Sequence, residues 1–210
     1  MFHFSSSQWP VPDEIAAALV STWETLAAPG TSFTGEQRVA IAAATRASKQ
    51  GIPTDLTPPD GTAETVRMMA NSPAQTTKEW VDAQVEAIGG ARYTETNGVV
   101  SQVVAVDTFT RLLGFEPEPL PEPVRGDAGG EVVEDLSQGG KTWFPAGDFP
   151  SPPFLLAMTP AEVVAQNVLS DVLYMPGEEM VHPDWERNDL HRTQMEVVAA
   201  STSHVNECFF

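Results

Sequence analysis

The strongest constraint on the fold is a series of apolar stretches with helical spacing, each closed by a start or stop signal. Between Asp13 and Ala28, Ile15, Leu19, Val20, Trp23 and Leu26 recur at three- and four-residue intervals before Pro29-Gly30, the stripe of an amphipathic helix. In "TSFTGEQRVAIAAATRASKQG", Thr34 stands three residues before Gln37 as a capping box, and Gly51 with Pro53 supplies the stop. A loop, "IPTDLTPPDG", then leads to a short helix around Ala63–Ala70, and "TTKEWVDAQVEAIGG" gives another that ends at a glycine pair. The valines of "RYTETNGVVSQVVAVDTFTRLLG" have strand propensity. The length of the segment and the row Val99, Val103, Val106, Phe109, Leu112 and Leu113 predict a buried helix instead.

The next stretch, "FEPEPLPEPVRGDAGGEVVEDLSQGGK", is rich in proline, glycine and acid, and is read as an extended, poorly ordered connector. Helix signals return after the aromatic, proline-rich segment "TWFPAGDFPSPPFLLAMTP". Thr159 is placed at an N-cap, with Pro160 at the first helical position and Glu162 at the third. "RTQMEVVAASTSHVN" closes the series. Gln37, Ala42, Ala43 and Thr45 recur as Gln194, Ala199, Ala200 and Thr202 at a constant offset, consistent with a duplicated helical unit. The expected fold is all-α: a helical half over residues 1–115, the connector over 116–150 and a second helical half over 151–210, together one domain.

Charge and cysteine usage narrow the function. A net charge of −18 and a pI near 4.3 argue against nucleic acid and anionic membrane surfaces, both of which select Lys and Arg. No stretch approaches the length of a membrane span, and the N-terminus lacks the basic and apolar regions of a signal peptide, so a cytoplasmic location is expected. A single cysteine, Cys208, excludes an intramolecular disulfide framework and a cysteine-based zinc site. No dinucleotide, P-loop or nucleophile-elbow motif occurs, so no cofactor is implied.

The remaining candidates differ in weight. Glu179-x-x-His182 has di-iron ligand spacing, but a di-iron site needs a second such pair, and Pro183 adjoins the histidine. Ser203 and His204 are neighbours on one helix and point apart. Glu95 and Asp107 lie inside the apolar helix as candidate buried acids. The five tryptophans, Trp9, Trp23, Trp80, Trp143 and Trp185, are read as core anchors, and Phe209 and Phe210 as apolar packing residues.

Glu196 precedes Cys208 by twelve residues, roughly 18 Å along an unbroken helix. A working pair therefore needs a break, which Asn206 is suited to provide, and a thiol at the start of a following helix would be activated by the backbone N–H groups. By itself Glu196 also fits a simpler role, closing a capping box with Thr193. A lone cysteine, likewise, is often a small buried hydrophobe.

Glu-x11-Cys with "S-x-x-N-x-C" resembles the alkylhydroperoxidase D-like, carboxymuconolactone decarboxylase superfamily, and "TWETLAAPGTSFTGEQRVAIAAATRAS", "NGVVSQVVAVDTFTRLLG", "PLPEPV" and "MTPAEVVAQNVLSDVLYMP" resemble one bacterial branch of it. The resemblance implies a helical, internally duplicated fold and peroxide reduction through a cysteine pair. Glu196 matches the proton-relay glutamate and Cys208 the resolving first cysteine of C-x-x-C-x-x-x-H. The second cysteine is expected just past Phe210 and the histidine beyond it, so the 210 residues are expected to stop inside the motif. Dithiol turnover is not expected of them as they stand. The first half offers no substitute, because Val39 and Gly51 occupy the positions corresponding to Glu196 and Cys208. The implied partners are a small-molecule peroxide or lactone-acid substrate, a thiol reductant protein and further copies of the chain in a homo-oligomer. Two other readings stay open: a decarboxylase-type lyase acting without redox cysteines, and a non-catalytic helical oligomer.

Overall fold

The structure, a computed structural model, describes residues 2–137, 142–147, 156–187 and 189–207. Among these are seven α-helices: α1 Asp13–Ala27, α2 Gly35–Gln50, α3 Ala63–Asn71, α4 Lys78–Ile88, α5 Gly90–Leu112, α6 Pro160–Leu173 and α7 Arg192–Val205. The only sheet among them is a two-stranded antiparallel ribbon, β1 Glu186–Arg187 against β2 Leu190–His191. The all-α expectation holds at this level.

Local signals place the helices well. Thr34 accepts from the Gln37 N–H while the Gln37 side chain accepts from the Thr34 N–H, and Gly51 ends α2 in the left-handed region at φ 70°, where a glycine carries no Cβ penalty. The α1 stripe buries Leu19, Trp23 and Leu26 completely. The valine-rich segment is indeed a helix, α5, and it runs through the middle of the molecule with Val99, Val103 and Val106 fully buried. Leu112 departs from its expected place and is 79% exposed, because α5 emerges from the core at its last turn.

One core joins α2, α3 and α5 through Ile41, Val66, Val99 and Val103. A second joins α1, α5 and α6 through Leu19, Trp23, Val106 and Leu169, so the two helical halves share it. Phe2 seals this second core, with its ring edge-on to Trp23 at 5.3 Å. Of the five tryptophans Trp23 is fully buried and Trp80 packs half-buried against the apolar cluster that holds Tyr93 and Ile88, whereas Trp9 and Trp143 are exposed.

The described part of the connector is extended, but it is a fixed strap. Val124 N–H donates to Ala27 O, Gly129 and Gly130 N–H to Gly30 O, and Val133 N–H to Met158 O. Trp23 Nε1–H donates to Pro119 O at 2.9 Å. These bonds satisfy the backbone groups at the end of α1 and in the turn after it, which would otherwise lack partners. Gly35, the first residue of α2, lies beneath the strap, and a Cβ there would strike the backbone oxygens of Ala27 and Val124. Gly35→Ala is expected to cost about 1–3 kcal/mol, since backbone rather than a flexible side chain must move. Chemical denaturation measures it, and a loss within 0.5 kcal/mol, roughly the spread of surface substitutions, would contradict the tight fit.

Candidate functional site

Glu196 lies on the second turn of α7. Its carboxylate accepts from Arg192 Nε at 2.7 Å and from the Tyr174 hydroxyl at 2.9 Å. Arg192 is fixed in turn by donating to the carbonyls of Glu179, Met180 and His182. Arg192, then Tyr174, hold the Glu196 carboxyl below its ordinary range, so it stays ionised. Burial, reinforced by Glu196, pushes the Tyr174 hydroxyl up. The capping box proposed for Thr193 and Glu196 is not formed. The cap is made two residues earlier, where the His191 ring accepts from Thr193 N–H and His191 N–H donates to the Gln194 side chain. This frees Glu196 to face Tyr174.

Helix α7 stops at Val205, and Glu207 takes φ 54°, the left-handed region. The helix thus ends beside Asn206, as expected, although Glu207 rather than Asn206 adopts the left-handed conformation. Cys208, like Phe209 and Phe210, lies outside the described residues. Helix α7 itself has no buried residue, and Val197, Val198 and Val205 stand 63–79% exposed. Its cap matches that of α2 at the same offset as the sequence match: Thr34 with Gln37, His191 with Gln194. The surroundings differ, because α2 is a core helix.

Glu179 and His182 sit in and just after a 3-10 turn, Gly177–Val181, and no group of three metal-ligating side chains occurs among the described residues. No helix among them is long and apolar enough to cross a membrane.

The polar groups buried deepest are elsewhere. Arg38 of α2 donates from one terminal nitrogen both to Glu95 of α5 at 2.6 Å and to Glu162 of α6 at 2.5 Å. Ser32 N–H donates to the other Glu95 oxygen and Gln102 Nε2 to the other Glu162 oxygen. All three charged side chains are at most 2% exposed. Burial, foremost, pushes the Glu95 carboxyl up, Arg38 opposes this, and Glu162 adds to the rise. Glu162, placed at an N-terminal capping position by the sequence pattern, instead turns inward, and the Thr159 side chain makes no cap. A second buried pair joins Arg46 to Asp107 through two bonds of 2.7 and 2.8 Å, with Gln50 donating to the same carboxylate and Trp23 facing the guanidinium at 5.5 Å. Glu95 and Asp107 are therefore buried acids, as their helix positions suggested. Their arginine partners had no visible signal.

The arrangement offers an ionised carboxylate beside a tyrosine on the second turn of α7, and two sealed ionic clusters that hold helices together. Compared with known proteins, the chain matches no family model, no curated protein and no solved structure.

Proposed function

We propose that the protein is an alkylhydroperoxidase D-like oxidoreductase whose thiol chemistry uses Cys208 with Glu196 as the proton acceptor. The observation that carries this reading is the end of α7 at Val205 with the left-handed Glu207 behind it, the helix break that a glutamate–x11–cysteine pair needs ahead of the thiol. The fixed, ionised state of Glu196 between Arg192 and Tyr174 supports it further, because a carboxylate must be unprotonated to take up a thiol proton. In the two-cysteine scheme implied by the sequence resemblance, a second thiolate attacks the peroxide. The O–O bond breaks, the alkoxide leaves as an alcohol with a proton taken from solvent, and a sulfenic acid forms. Cys208 sulfur then attacks that sulfenic acid to give a disulfide, and Glu196 takes up the Cys208 proton and passes it to the departing hydroxide, which leaves as water. A dithiol reductant resets the pair.

Cys208 is accordingly expected to react with an aromatic disulfide reagent at pH 7 about tenfold faster than free cysteine. Glu196→Gln is expected to slow that reaction by at least about tenfold, with Cys208→Ser as the blank. A thiol no faster than free cysteine, or indifferent to the Glu196 change, would overturn the proposal. Turnover of a lactone acid unaffected by Cys208→Ser would point to the lyase reading instead.

A second reading, a helical oligomer without catalysis, is favoured by the uncovered valines of α7. A stable assembly by light scattering, together with an unreactive Cys208, would distinguish it.

A further inference from the structure

We propose that Glu95 and Glu162 share one proton, and that this proton latches helix α6, with the C-terminal segment attached to it, onto the rest of the fold. Two carboxylates converge on a single guanidinium nitrogen in a place closed to water. Fully ionised, the cluster would carry one uncompensated negative charge, which a buried site tolerates poorly. One proton brings it to neutrality. Among the described residues, the charged groups in the cluster are Arg38 from α2, Glu95 from α5 and Glu162 from α6; the turn before α2 contributes the Ser32 N–H and α5 the neutral Gln102.

The site has an acceptor for that proton. Gln102 Oε1 is buried without a partner, while its Nε2 stands 2.8 Å from Glu162. If the amide turns over, its oxygen faces Glu162 and can receive a carboxylic O–H. The packing leaves no slack for the acids to separate instead. A Cβ on Gly30 would strike Glu95 and Arg38, and one on Gly98 would strike Glu162.

The latch acts on α6 because so little else of that helix is buried. Glu162, Ala165 and Leu169 are its buried residues. The segment beyond is tied to its far end: Arg187 donates to the carbonyls of Asp171, Val172 and Tyr174, and Tyr174 holds Glu196. Burial raises the Glu95 carboxyl above its ordinary range. The folded state therefore binds more protons than the unfolded one as pH climbs out of the usual carboxylate range. The stabilisation is complete below that range and is lost as pH rises through the folded value.

Hydrogen exchange of the full chain, read by mass spectrometry on peptides covering 160–173, tests the latch. From about pH 4, in the ordinary carboxylate range, to pH 9 the α6 protection factor of the wild-type chain is expected to fall at least about tenfold, the change that one unit of pKa difference produces, and more than that of α2. In Glu162→Gln and Glu95→Gln, each of which leaves one carboxylate for Arg38, the fall is expected to vanish. A flat wild-type profile overturns the proposal, as does an undiminished fall in both variants. Failure of both variants to fold also counts against it, since a neutral amide would then be no substitute for a protonated acid.

Discussion

Replacing Arg38 by methionine is expected to lower the unfolding free energy by about 3–5 kcal/mol, because it leaves two acids facing each other with no cation between them. For a chain of this size each kcal/mol corresponds to a few degrees, so the melting temperature should drop by about 10 °C or more. Arg38→Lys should recover only part of the loss, since a lysine ammonium lacks the planar fork of guanidinium nitrogens. The triple change Arg38→Met, Glu95→Gln and Glu162→Gln should recover more than Arg38→Lys, because the large term is the unpaired charge and not the lost bond. Urea unfolding followed by helical circular dichroism measures all three. A loss below about 1 kcal/mol for Arg38→Met, the size of an exposed ion pair, would mean that the cluster is wet.

Trp23→Ala should be comparably severe, about 3–5 kcal/mol. The indole is fully buried and meets five separate parts of the chain: Phe2 at its edge, Arg46 over its face, Pro119 O at its N–H, and the apolar side chains of α5 and α6. Removing it empties the second core and exposes the Arg46–Asp107 pair to a void. Trp23→Phe keeps much of the volume and loses the bond to the strap, so a smaller loss, about 1–2 kcal/mol, is expected. Equal losses for the two variants would place the energy in the Pro119 bond and not in the packing.

The sequence made local features legible and long-range ones opaque, for physical reasons. Thr34 with Gln37, Gly51 and the Leu19–Trp23–Leu26 stripe act within a turn or two of chain, and each appears where its pattern put it. Glu95 and Asp107 were visible as acids on an apolar helix. Arg38, Arg46 and Glu162 were not, because each sits in a position that a surface or capping residue would also occupy. What buries them is contact with helices distant in sequence. The strap misled for a related reason. Proline, glycine and acid compose a loose linker and a fixed strap equally well, and the difference lies in backbone bonds to Ala27, Gly30 and Met158. At the C-terminal site, the spacing anticipated the break in α7, while the Tyr174–Glu196–Arg192 triad depends on a turn between α6 and α7 that no periodicity announces.

The way residues 118–133 lie across the turn between α1 and α2 bears on how the helical stretches before and after them relate. A free linker would let each half evolve, move or be excised by itself. Here the intervening chain supplies partners that the first half lacks: an acceptor for the Trp23 indole and donors for Ala27 O and Gly30 O. The seam is thus part of the first half's own structure, and cutting it away would leave the Trp23 N–H, Ala27 O and Gly30 O without these partners.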